Sequence, residues 1–310
     1  MSKFWKSKTI LVKPETTYAT DATPTGAADA MLASDVTFNP MEGDTVKRTV
    51  ERGFFGAQAF VLAAFRSSLT MSVEMVGSGT AGTAPAWGPL LRCCGVAEVI
   101  TAGTKVEYTP ITNGQESATI YFDVDGTKHV MLGTRGNVVF KLDANGIPIA
   151  TFTLTSLFTI PTEAAKPTPV YTKWQAPQAA TKANTPVFTI AGIPFPMRSF
   201  ELDLANDVQP RMLVNDERVL ITGRDDCALK VQVEAKALTD YDPFTVAVQG
   251  TQQAIALQHG TVAGRKVRFD LPVCLQQMPT YQDQDNILEW PLTFTPIPVA
   301  GGDDWKLTLT

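Results

Sequence analysis

Alternation of apolar and polar residues restricts the fold of this chain more than any other feature. Leu69, Met71, Val73 and Met75 alternate with Thr70, Ser72 and Glu74, and Ile120, Phe122 and Val124 alternate with Thr119, Tyr121 and Asp123. Val138, Phe140 and Leu142 run into Asp143-Ala144-Asn145-Gly146, after which Phe152 and Leu154 stand between threonines. A period of two puts every second side chain on one face, so each block reads as a strand with one buried side. Asn145-Gly146 marks a tight hairpin turn. Threonine, present 39 times, suits a pleated, half-buried surface and argues against an all-helical chain.

Residues 187–310 repeat the order of the earlier elements. Phe200, Leu202 and Leu204 match the strand around Val36 and Phe38, and Leu229–Glu234 matches Leu69–Glu74. Trp87 to Cys94 reads as a short helix with Pro89 near its start and Gly95 just past its end. Its counterpart runs from Asp242-Pro243-Phe244 to Gly250, with Asp at the N-cap and Pro in the first turn. Val267, Phe269 and Leu271 match Val138, Phe140 and Leu142, and Leu288 to Phe294 matches Phe152 and Leu154. The order strand, strand, helix, strand, strand, strand in both halves points to an internal duplication.

Three segments break the pattern. Residues 1–32 show neither period and read as an N-terminal arm. Residues 161–186, with Pro161, Pro167, Pro169, Pro177 and Pro186, read as a linker or irregular crossover. The stretch Asn39–Ser68 carries Phe54, Phe55, Phe60 and Phe65 with little alternation. Four phenylalanines argue against disorder, and such a loop either caps the domain's own core or docks on another subunit.

Little in the chain points to chemistry. Gly77-Ser78-Gly79-Thr80-Ala81-Gly82 has dinucleotide spacing, but Thr83-Ala84-Pro85 follows where a helix would have to open, so a plain loop is expected. Asp123-Val124-Asp125-Gly126 lacks the terminal Glu of a calcium loop and reads as a turn. His129 and His259 have no cysteine at metal spacing, and no nucleophile elbow occurs. We therefore expect no catalytic, cofactor or metal site. The four cysteines are too few for a disulfide scaffold and suggest a reducing compartment. No apolar run reaches the ~20 residues of a membrane span, so no membrane insertion is expected. The net charge of −5 is spread over both halves without a basic stripe, which argues against gripping nucleic acid.

The segment Glu15-Thr16-Thr17-Tyr18-Ala19-Thr20-Asp21, with its small-residue run and the strand Asp35-Val36-Thr37-Phe38-Asn39-Pro40, resembles the opening of tail tube (major tail) proteins of long-tailed bacteriophages. Ala19 stands where that family commonly has Gly. The resemblance implies a mainly β chain of two tandem tube domains, each a β-sandwich or split barrel with one short flanking helix. The expected division is an arm (1–32), tube domain 1 (33–160), a linker (161–186) and tube domain 2 (187–310). It also implies rings that stack into a hollow tube, the conduit for DNA ejection. A two-domain chain would close the ring as a pseudo-sixfold trimer, or as a hexamer if only one half is a tube domain. Expected partners are further copies of the chain, a tape measure protein and tail terminator or tip proteins. DNA passes through the lumen without specific binding. The expected location is the virion tail, with assembly in the host cytoplasm. Phe54, Phe55, Phe60, Phe65 and Tyr18 are the candidate ring-to-ring contacts, and a mildly acidic channel wall would repel phosphates. A capsid decoration or baseplate sandwich would share this composition.

Overall fold

The computed structural model describes residues 2–310. The first half contains β1 (Lys8–Pro14), β2 (Ala33–Lys47), β3 (Phe60–Glu74), α1 (Gly88–Arg92), β4 (Val96–Thr101), β5 (Lys105–Pro110), β6 (Ala118–Val124), β7 (Thr127–Asp143) and β8 (Ile149–Leu157). The short β9 (Thr162–Glu163) lies in the crossover. The second half contains β10 (Val187–Ile190), β11 (Ile193–Pro194), β12 (Met197–Asp203), β13 (Val208–Leu213), β14 (Asp216–Ile221), β15 (Ala228–Glu234), α2 (Pro243–Gln249), β16 (Gln253–His259), β17 (Val267–Gln276), β18 (Gln282–Gln284), β19 (Ile287–Pro296) and β20 (Lys306–Leu309). The chain is mainly β with two short helices, as its alternation and punctuation predict.

Pairing reveals the repeat directly. Antiparallel neighbours in the first half run β1-β6-β7-β8-β3-β2. In the second half they run β10-β16-β17-β19-β15-β12. Helix α1 follows β3 and helix α2 follows β15, each ahead of the next antiparallel hairpin. The two halves meet where Val139–Asp143 of β7 pair with Ser199–Asp203 of β12. One sheet therefore runs without interruption as β2-β3-β8-β7-β12-β15-β19-β17, and it is not closed.

The alternating blocks aim their apolar side into a single core. Met71, Phe152, Phe140, Phe200, Val231 and Trp290 lie on the inner side of consecutive strands, all buried. Phe269 of β17 packs against Phe140 (5.1 Å between ring centroids) and Phe200 (5.4 Å), so the core is continuous across the junction. The second layer consists of β1 and β6 over the first half and β16, β10 and β20 over the second, with the β4–β5 hairpin beside α1. Strand β20 bridges the halves by pairing with both β17 and β5.

Both helices end as their sequences dictate. Asp242 caps α2 by accepting from the amides of Phe244 (2.9 Å) and Thr245 (3.2 Å). Gly95 and Gly250 follow α1 and α2 with φ of 71° and 62°, the left-handed conformation that stops a helix most easily at glycine. Asn145 turns β7 into β8 with φ 63°, as expected.

Two segments depart from the sequence reading. Residues 1–32 are not wholly an arm: Ile10, Leu11 and Val12 are buried in β1, which pairs along its length with β6. With both faces covered, β1 has a continuous apolar run and no alternation. The stretch Asn39–Ser68 is not a loop but the outer part of a long hairpin, in which β2 and β3 continue to Lys47 and Phe60. Between residues 43 and 62 its side chains are exposed on both faces, so no period marks it. Register shifts between Asn39 and Glu42 and between Glu42 and Asp44 bend it away from the sheet. Residues 161–186 are mostly irregular and are tied down by Trp174 Nε1 donating to Ala30 O (3.1 Å) and Lys173 Nζ donating to Ala28 O (2.9 Å).

Candidate assembly surfaces

Three features stand out once the core is accounted for: an open sheet face, two open sheet edges and an uncovered hairpin. On the open face, Thr70, Thr151, Thr153, Thr155, Thr293 and Thr295 alternate with the buried residues of their strands. Its charged groups include Glu42, Glu74, Asp143, Glu201, Asp203, Glu234 and Glu289 against Arg66, Lys141, Arg198 and Lys230. Carboxylates thus outnumber cations. Arg198 Nε donates to both oxygens of Glu289 (2.8 and 2.9 Å), and that ion-paired hydrogen bonding holds the Glu289 carboxyl below its ordinary range. Lys230 faces Glu201 at 3.6 Å and Lys141 faces Asp143 at 3.3 Å.

The edges lie at the two ends of the same sheet. Strand β2 pairs with β3 alone, and β18 pairs with β19 alone, among the described residues. The two edges are counterparts of β12 and of the far part of β7, which do pair with each other inside the chain. An open edge presents unpaired amides and carbonyls, which most proteins shield.

The outer hairpin carries a dense set of exposed apolar side chains: Met41, Val46, Val50, Phe54, Phe55, Phe60, Val61 and Leu62. Phe54 is 71% and Phe55 106% exposed, at the tip. Phe65 is different; it lies nearer the sheet, with its ring 5.9 Å from that of Phe158. Tyr18, grouped with these residues on sequence grounds, sits elsewhere. Its hydroxyl accepts from Val219 N (2.6 Å), the Arg135 guanidinium lies over its ring at 5.1 Å, and burial pushes its phenol up.

Sequence reasoning missed what surrounds Tyr18. Glu15 is buried, and each of its oxygens takes one backbone amide and one hydroxyl. Oε2 accepts from Ala19 N (2.8 Å) and Ser117 Oγ; Oε1 accepts from Gly133 N (2.9 Å) and Thr119 Oγ1 (3.0 Å). Arg135 donates to the carbonyls of Val219 (2.8 Å), Gln115 (2.8 Å) and Glu116 (3.2 Å). The Glu15-Thr16-Thr17-Tyr18 motif is therefore an internal clamp that joins β6 and β7 to the β13–β14 hairpin of the second half.

The remaining sequence candidates fall in ordinary settings. Residues 77–82 lie in a loop against Gly264, whose carbonyl accepts from Gly79 N (2.9 Å). Asp125 and Gly126 are the two turn residues between β6 and β7. His129 packs edge-on against Phe38, and His259 Nδ1 meets Thr185 Oγ1 at 3.0 Å; burial lowers both imidazoles. No cluster of three or more His, Cys, Asp or Glu is placed to hold a metal among the described residues. Among the described residues no helix is long and apolar enough to cross a membrane.

A mainly β chain with an internal repeat, a sheet open at both edges and an exposed apolar hairpin is built for association, in keeping with a structural protein. Comparison with known families identifies which: the family model for phage tail tube proteins matches residues 5–306. The chain belongs to that family, and is a structural component of the phage tail that self-assembles into tubes. No curated protein matches it.

Proposed function

We propose that three copies of this chain close a pseudo-sixfold ring, that the rings stack, and that the hollow stack conducts DNA during ejection. The observation that carries this reading is the uninterrupted sheet through both halves, which pairs its own β7 and β12 internally and leaves the counterpart edges free at its two ends. Repeating the internal junction between copies consumes both edges. Three copies of eight strands then give a barrel of about twenty-four strands, roughly 40–50 Å across between backbones at the usual spacing and tilt. A heterologous contact whose rotation closes makes a ring and leaves no edge exposed. The hexamer with a single tube unit per chain is disfavoured because both halves contribute equivalent strands to one sheet.

The polar, threonine-rich face then lines the lumen. Its excess of carboxylates repels a phosphate backbone, so DNA slides without being captured. Phe54, Phe55 and Phe60 at the hairpin end are the ring-to-ring contact in this reading, with tape measure protein inside and terminator and tip proteins at the ends. Assembly takes place in the host cytoplasm. Electron microscopy of purified protein tests the proposal: stacked hollow rings are expected, and isolated globules at high concentration refute it. Shortening residues 53–66 is expected to stop polymerisation and leave a folded chain; unchanged tubes refute the contact.

A further inference from the structure

The internal repeat also assigns a partner to the base of the exposed hairpin. Strands β12 and β15 are joined by the segment that folds into β13–β14, and this hairpin lies across β7 and β8 of the first half. Asn206, where the segment leaves β12, donates through Nδ2 to the carbonyls of Cys94 (2.7 Å) and Gly136 (3.0 Å), bridging the end of α1 to β7. Farther along, Val219 meets Tyr18 and Arg135, and Ile221 lies against Gly95. Strands β2 and β3 are the counterparts of β12 and β15, and the hairpin between them is the counterpart of β13–β14. Beyond Phe65 its apolar side chains, among them Met41, Val46, Phe60, Val61 and Leu62, are exposed.

The receiving surface is present twice as well. Matching Gly95 to Gly250 and Gly136 to Gln276 places the second copy of that surface between α2 and the end of β17. There the molecule has a largely apolar groove of about 600 Å³, lined by Phe244, Ala247, Val248, Gln277, Met278 and Pro279. The contrast between the halves is sharp. Cys93 of the first half is 1% exposed, whereas its counterpart Val248 is 88% exposed. Helix α2 buries only Pro243, while Gly88, Leu90 and Leu91 of α1 are buried.

We propose that the base of the β2–β3 hairpin of one copy docks in the α2–β17 groove of a second copy of this chain, as β13–β14 docks on the first half of its own. The proposal rests on the ring reading above and adds to it a contact outside the lumen sheet. The segment between Asn39 and Ser68 is four residues longer than that between Asp203 and Ala228, about two per strand, which carries its tip roughly 7 Å farther out at the rise of a strand. The base thus binds a neighbour in the same ring while Phe54 and Phe55 remain free for the next ring.

Counting from the shared pairing of Asn39 and Asp203 with β3 and β15, Glu42 falls where Asn206 does, and Gln249 falls where Cys94 does. The double variant Glu42→Cys with Gln249→Cys, assembled under reducing conditions and then oxidised, is expected to give covalently closed trimers on denaturing gels. A second variant, Val248→Asp, alters an exposed side chain; with its circular dichroism unchanged, it is expected to lose ring assembly. Rings that form but do not cross-link, or undiminished assembly of Val248→Asp, overturn the docking and leave the ring standing. Absence of rings from the unmodified chain overturns the ring reading itself.

Discussion

Replacing Glu15 by Gln separates a structural role for the tail-tube motif from a contact role. Each carboxylate oxygen of Glu15 accepts one backbone amide and one hydroxyl. In the Gln variant one oxygen becomes an NH2 group. The facing hydroxyl, Ser117 or Thr119, can rotate to accept from it, but the facing amide, Ala19 or Gly133, cannot turn round. One buried N–H is orphaned whichever way the amide is placed, which costs about 1–3 kcal/mol, and the charge-assisted character of the other bonds is lost too. A destabilisation of about 2–3 kcal/mol is the result. A chain of this length has an unfolding entropy near 0.65 kcal/mol/K at about 2.1 cal/mol/K per residue, so Tm falls by about 3–5 °C. Scanning calorimetry of the unassembled chain measures this directly. A Glu15→Gln chain that melts within 1 °C of the wild type (on the order of measurement error for the ~1.5 °C per kcal/mol implied above) refutes the clamp.

Other consequences follow from the same contacts. Phe269→Ala removes the ring that joins Phe140 to Phe200 and is expected to cost about 3–5 kcal/mol in a denaturant melt, with both halves unfolding together. Because Arg198 holds the Glu289 carboxyl low, the stability from that pair is fully present above the ordinary value of 4.5 and is lost as pH falls through the lowered one; Glu289→Gln should flatten this acid limb of stability against pH. All four cysteines are free and buried, and burial pushes the Cys227 and Cys274 thiols up to about 12. A thiol reagent at neutral pH should therefore label none in the native chain and all four on denaturation.

Much of the sheet was legible because one face is buried and the other is not. Leu69–Glu74, Leu229–Glu234 and the β7–β8 hairpin announce themselves by a period of two, and both helices by proline and glycine at their ends. The duplication was legible for the same reason, with one slip. By pairing, Val267–Leu271 correspond to the start of β7, next to the β6 turn, and not to Val138–Leu142. The reason is physical: β7 is continuous over 17 residues, whereas its counterpart is broken into β17 and β18 at Gln277–Tyr281.

Strand β1 and the outer hairpin escaped detection for opposite reasons, since β1 is covered on both faces and the hairpin on neither. The role of Glu15 and Tyr18 was out of reach because their partners, from Ser117 to Val219, stand about a hundred residues or more away in the chain. The four phenylalanines could be singled out as a group, but only the folded chain separates the exposed Phe54, Phe55 and Phe60 from Phe65, which packs on Phe158.

The central claim is that the two open edges of one duplicated sheet satisfy each other between copies. Native mass spectrometry of rings released from the tube tests it most directly. Three chains of 33.5 kDa, a closed species of about 100 kDa, are predicted; a six-chain ring, or a chain that stays monomeric at every concentration, contradicts it.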